Sequence, residues 1–214
     1  MIKPWTTRFL QLALDREALR FGRFTLKSGR ESPYFFNAGE FSTGAAVDTL
    51  TRCYADAIVD SGIEFDMLFG PAYKGIPLAT AVAMNLSRGH DIDVPFAYNR
   101  KEAKDHGEGG TIVGAPLRGR ILIVDDVISA GTSVGEALAI IAESGAEAAG
   151  VAIALDRQER GSDDERSAVQ AVKSRGLQVV SIASLQDLID WLAAHDRPPA
   201  SLDAVIGYQQ RYGA

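Results

Sequence analysis

The sequence predicts an α/β fold with a mostly parallel central sheet, flanked by helices on both faces, and a small N-terminal hood. Two observations support this. Short runs rich in isoleucine and valine, such as residues 121–124, alternate with amphipathic helical stretches, and buried parallel strands have this continuous apolar character. At two places an apolar run ends in a small-residue turn followed by a helix start, an arrangement that binds ligands in open α/β sheets.

Length and composition limit the class of protein. The 214 residues, with 46% hydrophobic and 23% charged residues, suffice for one structural domain, divided here into an N-terminal helix and hood (1–40) and a core (41–214). A net charge of -6 argues against a nucleic-acid-binding surface. Without a signal-like start or an 18-residue apolar run, we expect a cytoplasmic protein that does not bind membranes. The single cysteine, Cys53, is predicted to be a core residue.

The N-terminal forty residues predict a helix followed by a hairpin. Residues 5–19 have amphipathic helical spacing, and Thr6 or Thr7 would cap that helix. Two apolar runs then predict a hairpin with a Ser-Gly turn, over residues 21–26 and 33–37. This hairpin precedes the alternating part of the chain and would form the hood.

The rest of the chain alternates between strand and helix. Strands are predicted at 65–69, 94–98, 121–124, 150–155 and 177–182, and helices at 44–61, 76–86, 134–144, 163–173, 185–195 and 202–212. Residues 99–110 predict a mobile lid, because three glycines within four residues disfavour a rigid structure. His195, at a helix end, is predicted to be a C-terminal cap.

The segment I-L-I-V-D-D-V-I-S-A-G-T-S-V-G, from residue 121, predicts the main binding site. Asp125 and Asp126 come where the strand should end, and carboxylates suit sugar hydroxyls. The turn after them opens a helix, whose free N–H groups and dipole attract phosphate. Together they predict a site for a phosphorylated sugar. Neighbouring strand residues point to opposite faces, so both acids reach one sugar only if the chain has left strand geometry; otherwise one of them serves the loop.

A serine hydrolase is an alternative that uses some of the same residues. The letters G-T-S-V-G match the nucleophile elbow G-x-S-x-G, with Ser133 as the nucleophile. His195 and either Asp156 or Asp190 would complete the triad. The elbow should follow its strand directly, however, and here residues 125–130 intervene.

Five motifs resemble those of the type I phosphoribosyltransferases, which use phosphoribosyl pyrophosphate (PRPP), and most closely the orotate phosphoribosyltransferase family. The similar segments are K-S-G-R-E-S-P-Y-F-F-N of the hood, G-P-A-Y-K-G of a pyrophosphate loop, R-K-E-A-K-D-H-G-E-G-G of a catalytic lid, V-D-D-V-I-S-A-G-T-S of the ribose-phosphate signature and L-D-R-Q-E of an orotate-binding element. The likeness spans nearly the whole chain. It departs at Ser129, where related sequences usually carry threonine.

The resemblance implies a Mg²⁺-dependent enzyme of pyrimidine nucleotide (UMP) synthesis. It would transfer the phosphoribosyl group from PRPP to orotate, giving orotidine 5′-monophosphate and pyrophosphate. No protein side chain would bind Mg²⁺ directly, since substrate oxygens would hold the ion. The resemblance also implies a homodimer, in which the lid at residues 100–110 reaches the neighbouring subunit's site. A non-catalytic regulator that senses PRPP is a second alternative, but it would not need the lid.

The resemblance also implies a role for each motif residue. The catalytic residues would be Lys101, Lys104, His106, Asp125 and Asp126. PRPP would be bound by Lys27, Tyr73, Lys74, Arg100, Lys101, Lys104, His106, Asp125, Asp126, Val127, Ile128, Ser129, Ala130, Gly131, Thr132 and Ser133. Orotate would be bound by Phe35, Phe36, Ser129 and Arg157. A cis peptide bond is expected at Ala72–Tyr73.

Overall fold

The structure, a computed structural model, describes residues 2–26, 28–104, 110–128, 132–161, 165–195 and 199–214. In these ranges the strands are β1 (Leu19–Thr25), β2 (Glu31–Phe36), β3 (Met67–Gly70), β4 (Phe96–Lys104), β5 (Gly110–Gly114), β6 (Arg120–Val124), β7 (Glu147–Asp156) and β8 (Gln178–Ser184). The helices are α1 (Pro4–Asp15), α2 (Gly44–Ser61), α3 (Gly75–His90), α4 (Thr132–Glu143), α5 (Ala168–Lys173), α6 (Leu185–Ala194) and α7 (Pro199–Tyr212). No described helix is both long and apolar enough to span a membrane.

The predicted α/β architecture is confirmed. Six strands form the central sheet in the order β5-β4-β3-β6-β7-β8, and every neighbouring pair is parallel except β4 and β5. Strands β1 and β2 form a separate antiparallel hairpin, the predicted hood.

Two hydrophobic clusters cover the two faces of the sheet. Leu122 and Val124 of β6 lie in the cluster that α1, α2, α3, α6 and α7 complete, whereas Ile121 and Ile123 lie in the cluster that α4 and α5 complete. Because side chains alternate between faces along a strand, residues 121–124 of β6 must all be apolar. This explains the unbroken apolar run in the sequence. Cys53 is fully buried in the first cluster, as predicted.

The chain reverses its winding direction between β3 and β6. From β3 the chain continues through α3 to β4 on one side, and from β6 it continues through α4 to β7 on the other. Helices α3 and α4 therefore begin on opposite faces of the sheet at the same edge. A crevice beyond the carboxyl ends of two such strands is where open α/β sheets bind ligands.

Two expectations about local structure were wrong. Helix α1 is not capped by Thr6 or Thr7: it begins at Pro4, and the buried Thr6 hydroxyl instead donates a 2.6 Å hydrogen bond to the carbonyl oxygen of Ile182. Residues 99–104 are not part of a loop, because β4 continues to Lys104 and pairs with β5, which was not predicted. The edge strand β5 pairs with β4 through backbone hydrogen bonds, and these do not depend on the side chains of β4. Residues 105–109 of the predicted lid lie outside the described residues.

Candidate active site

The loop after β3 is held tightly against the end of β6 by two glycines. A Cβ atom on Gly75 would lie 2.6 Å from Cδ of Pro71 and 2.8 Å from the carbonyl oxygen of Val124, so no larger residue fits there. A Cβ atom added to Gly70 would clash in the same way with the backbone of Gly75. The Ala72–Tyr73 peptide bond is cis, as expected. The close packing brings the start of α3 to the end of β6.

Asp125 joins the end of β6 to the start of α4. Its Oδ2 accepts a 2.9 Å hydrogen bond from the Ser133 hydroxyl, and its Oδ1 accepts one of 2.9 Å from the backbone N–H of Asp126. Its carbonyl oxygen accepts a 2.7 Å hydrogen bond from the hydroxyl of Tyr54. The carboxylate is therefore fixed on both sides and orients the first turn of α4.

Asp126 points instead to the loop after β3. Its Oδ2 lies 2.6 Å from Nζ of Lys74, and the carboxylate is almost fully buried while the lysine side chain is half exposed. Strand β6 ends at Val124, so the chain has left regular strand geometry before the two acids. The two adjacent carboxylates thus reach the two loops that flank the crevice, one loop each.

The surroundings of Asp125 shift its ionisation. Burial, together with the negative charge of Asp126 next to it, raises the pKa of Asp125 to about 6. Hydrogen bonds from Ser133 and from the backbone of Asp126 act in the opposite direction. Two adjacent carboxylates therefore repel each other at this site, and hydrogen-bond donors or cations that arrive with a ligand would reduce that repulsion.

Asn99 is a further residue at this site, and it was not predicted. Its side-chain Oδ1 accepts a 2.9 Å hydrogen bond from the backbone N–H of Ala72, which lies at the cis peptide bond. Beside it, Nζ of Lys101 lies 5.4 Å from the ring centre of the exposed Tyr73, within range of a cation–π contact. The end of β4 therefore supports the loop after β3. Only the adjacency of β3 and β4 in the sheet could have revealed this.

Arg157, predicted to bind orotate, follows the end of β7 and takes part in a partly buried ion pair. Its Nε and Nη2 lie 2.9 and 2.7 Å from Oε1 of Glu159. The hydroxyl of Tyr34, on hood strand β2, donates a 3.0 Å hydrogen bond to the same oxygen, and the guanidinium lies 5.0 Å from the centre of the Tyr34 ring. Arg157 is thus bound to the hood.

Phe35 and Phe36, also predicted to bind orotate, lie on opposite faces of β2. Phe36 contacts Phe9 of α1 and Phe41, with ring centres 6.0 and 6.3 Å apart, and so belongs to the core beneath the hood. Phe35 stacks on Phe24 of β1 at 5.5 Å. The structure does not bring the two phenylalanines together in one pocket.

The structure describes only some of the remaining predicted PRPP-binding residues. Val127 and Ile128 pack against the two hydrophobic clusters, one each, and Arg100 is partly exposed on β4. Lys27, His106, Ser129, Ala130 and Gly131 lie outside the described residues. The backbones of Lys104 and Thr132 end β4 and begin α4.

Comparison with known proteins identifies the family. Residues 41–187 match the model of the phosphoribosyl transferase domain. The chain is 56% identical over 213 residues to the orotate phosphoribosyltransferase of Cronobacter sakazakii, which covers 99% of this chain and 100% of the relative. The corresponding enzyme of Xanthomonas axonopodis is 60% identical over 210 residues, covering 97% and 95%.

The chain belongs to the orotate phosphoribosyltransferase family. The crystal structure of the orotate phosphoribosyltransferase of Francisella tularensis is similar throughout, with a TM-score of 0.88 and 39% identity over 96% of this chain and 99% of that one. This family membership makes the protein a phosphoribosyltransferase enzyme. It also agrees with the type I phosphoribosyltransferase fold that the sequence predicted.

The geometry around Ser133 does not support a serine hydrolase. Ser133 lies within α4 and donates its hydroxyl hydrogen to Asp125. His195 ends α6, as predicted, where its ring stacks on Trp191 at 4.2 Å and its Nδ1 lies 2.8 Å from the Trp191 carbonyl oxygen. Among the described residues no histidine contacts Ser133, so the Ser-His pair of a hydrolase triad is not formed by them.

Proposed function

We propose that this protein transfers the phosphoribosyl group of PRPP to orotate, giving orotidine 5′-monophosphate and pyrophosphate. The observation that supports this most is the pair of acids at the switch point. Asp125 bonds to the start of α4 and Asp126 bonds to Lys74 in the loop before α3. Two helix starts, each an anion site, therefore flank two carboxylates that accept hydrogen bonds from hydroxyls, which matches a ribose with phosphate groups at both ends.

The reaction requires charge neutralisation and the exclusion of water, and does not need an enzyme nucleophile. The ring nitrogen of orotate attacks C1′ of the ribose as pyrophosphate leaves. Lys74 would stabilise the leaving group: its ammonium has three N–H donors, and Asp126 uses one of them. Asp125 and Asp126 would hold the ribose hydroxyls, and the turn before α4, with Ser133, would bind the 5′-phosphate. Lys101, Lys104 and His106 would close over the pyrophosphate.

The chemistry of the two acids is compatible with Mg²⁺. In the described part of the chain, no group of three or more acidic, histidine or cysteine side chains could hold a metal by itself. Mg²⁺ takes oxygen ligands and is bound mainly through one or two carboxylates plus substrate phosphates. Asp125 and Asp126 would hold the ribose hydroxyls, and the ion would be held mainly by substrate oxygens. When bound, the ion would offset the negative charge of PRPP.

Orotate carries a carboxylate, and Arg157 is the described cation at the carboxyl end of β7. A guanidinium binds a carboxylate through two parallel hydrogen bonds. We propose that Arg157 holds the orotate carboxylate. Phe35, Phe36 and Ser129 remain predicted orotate contacts.

We further propose a homodimer in the cytoplasm, in which the lid at residues 100–110 completes the neighbouring subunit's site. Mixing two inactive variants tests this. A hybrid dimer of Lys104→Ala and Asp126→Asn chains would have one site with both defects and one with neither. We expect activity to reappear on mixing, whereas additive residual activities would exclude a shared site.

The direct test of the reaction is the ultraviolet absorbance of orotate. We expect it to fall when PRPP and Mg²⁺ are added together, with pyrophosphate released in equal amount. Omitting PRPP is the control. A folded protein that leaves the absorbance unchanged at any PRPP concentration is not an orotate phosphoribosyltransferase.

A further inference from the structure

Glu159 is the centre of a cluster of four side chains from three distant parts of the chain: Tyr34, Arg157, Glu159 and Tyr208. One carboxylate oxygen, Oε1, meets Nε and Nη2 of Arg157 and the hydroxyl of Tyr34, at 2.9, 2.7 and 3.0 Å. The ring of Tyr208, on α7, packs edge-on against Tyr34 with the ring centres 6.0 Å apart. The hood, the segment after β7 and the C-terminal helix therefore meet at Glu159.

Burial makes these contacts strong. Tyr34 is fully buried, and the side chains of Arg157 and Glu159 are 24% and 14% exposed. Burial raises the pKa of Tyr34 well above its usual value, so its hydroxyl remains a hydrogen-bond donor. Burial also acts to lower the pKa of Arg157, but its neighbours Tyr34 and Glu159 raise it above its usual value, so the guanidinium remains charged.

Glu159 uses only one edge of the Arg157 guanidinium. The Nε–Nη2 edge faces Glu159: Nε donates the hydrogen bond, whereas Nη2 is buried 2.7 Å from the same oxygen without making a hydrogen bond of good geometry. Among the described residues none hydrogen-bonds Nη1. The Nη1–Nη2 edge is the second place where a carboxylate can bind with two parallel hydrogen bonds. With one edge fixed, the direction of the other is also fixed, because the guanidinium is planar and rigid.

We propose that Glu159, itself held by Tyr34, is a positioning residue that directs the Nη1–Nη2 edge of Arg157 towards the carboxylate of the pyrimidine substrate. This inference rests on the proposed function, since it assumes that Arg157 binds that carboxylate. Glu159 does not touch the substrate. It lowers the cost of ordering Arg157 when the substrate binds, which stabilises the complex with orotate but not that with PRPP.

The position of the cluster supports a binding role over a purely structural one. A buried ion pair is weak evidence of stability, because removing two charges from water costs about as much as their attraction returns. Arg157 directly follows β7, the strand that pairs with β6, and β6 leads into the acids of the crevice. Two neighbouring parallel strands end at this same edge of the sheet, so the pair lies on the substrate side.

The test is the Michaelis constant (KM) of each substrate for Glu159→Gln and Tyr34→Phe. Because charge-assisted hydrogen bonds are strong, we expect Glu159→Gln to raise the KM for orotate about 10-fold to 100-fold. The KM for PRPP should change less than about twofold, since Arg157 faces the other substrate. Tyr34→Phe keeps the ring and should give a smaller increase in the same direction. Glu165→Gln is the matched control, because Glu165 pairs with Arg160 in the same segment but is exposed.

Two results would overturn the inference. One is an equal change in both KM values, which would indicate a general structural role. The other is an unchanged KM for orotate in both variants while Arg157→Ala abolishes orotate binding. The Nε–H signal of Arg157 in nuclear magnetic resonance spectra gives a readout that is independent of activity: it should be protected from exchange in the wild type and lose protection in Glu159→Gln. A wild type without orotate turnover but with this protected signal would contradict the proposed function and leave the contact itself established.

Discussion

The two sides of the proposed site are built differently. The donor side, which would bind the phosphoribosyl donor PRPP, is formed by Lys74, Asp125, Asp126 and Ser133. Its two buried acids come just after β6, and they contact the loop after β3 and the first turn of α4. The acceptor side, which would bind the acceptor orotate, is formed by Tyr34, Arg157 and Glu159 and joins residues 125 positions apart in a largely buried cluster. The donor side therefore offers two carboxylates and a lysine to a large, highly charged ligand, whereas the acceptor side presents one fixed positive charge to a small one.

The largest effect should come from Asp126→Asn on the donor side. The substitution removes the charge that pairs with Lys74 and one acceptor for the ribose. We expect kcat/KM for PRPP to fall by roughly 10²–10³, as on loss of one transition-state contact. Steady-state kinetics with each substrate varied measures this. Asp60→Asn, which breaks the exposed Lys3–Asp60 pair, is the control and should be silent. A kcat/KM for PRPP close to that of the wild type would mean that Asp126 is not part of the PRPP site.

A smaller effect is expected for Asn99→Ala. The N–H of Ala72 loses its acceptor, so the loop that carries Lys74 is less well ordered. One uncharged hydrogen bond is worth about 0.5–1.5 kcal/mol, so the KM for PRPP should rise by about tenfold at most. Asn99→Asp retains an acceptor oxygen and should recover part of the affinity. If Asn99→Ala instead raised the KM for orotate, the assignment of this loop to the donor side would be wrong.

The donor side also predicts a dependence of stability on pH. Because burial raises the folded-state pKa of Asp125 to about 6, above its ordinary 3.8, its ionisation destabilises the free protein as pH rises through about 6. Asp125→Asn should therefore stabilise the free protein at pH 8 by on the order of 1 kcal/mol relative to the wild type, and this advantage should vanish near pH 3.5. Urea unfolding at the two pH values measures the difference. A stabilisation by Asp125→Asn that is greater near pH 3.5 than at pH 8 would contradict this prediction.

The smallest effect should come from Tyr208→Phe on the acceptor side. The Tyr208 hydroxyl is buried without a hydrogen-bond partner among the described residues, and its ring is what packs on Tyr34. We expect the KM for orotate to change less than about twofold, because the ring contact is kept. A comparison of Tyr208→Phe with Tyr34→Phe separates the effect of the hydroxyl that bonds to Glu159 from the effect of ring packing. A larger effect for Tyr208→Phe than for Tyr34→Phe would contradict the contacts described for Glu159.

The difference between contacts among neighbouring residues and contacts between distant ones explains which parts of the site the sequence could predict. Asp125, Asp126 and the turn before α4 are contiguous, so their pattern indicates a sugar-phosphate site without knowledge of the fold. The contacts from Asn99 to Ala72 and from Tyr34 to Glu159 join residues 27 and 125 positions apart. Such pairs depend on which strands and helices are neighbours, which local patterns do not specify.

Three details of the structure could have been predicted from signals that were present in the sequence. Pro4 is a typical first residue of a helix, and it indicates the start of α1 better than Thr6 does. The β-branched run Thr111-Ile112-Val113 indicates β5, although the charged and glycine-rich residues before it suggested only a loop. The opposite orientations of Phe35 and Phe36 follow from strand alternation alone.

A crystal structure with PRPP and Mg²⁺ bound tests the central claim most directly. The account predicts that the ribose lies between the ends of β3 and β6, with its hydroxyls about 2.5–3.0 Å from the carboxylate oxygens of Asp125 and Asp126 and its 5′-phosphate at the start of α4. A phosphate oxygen should also contact Nζ of Lys74. PRPP bound elsewhere on the chain, with these acids in contact only with protein, would contradict the account.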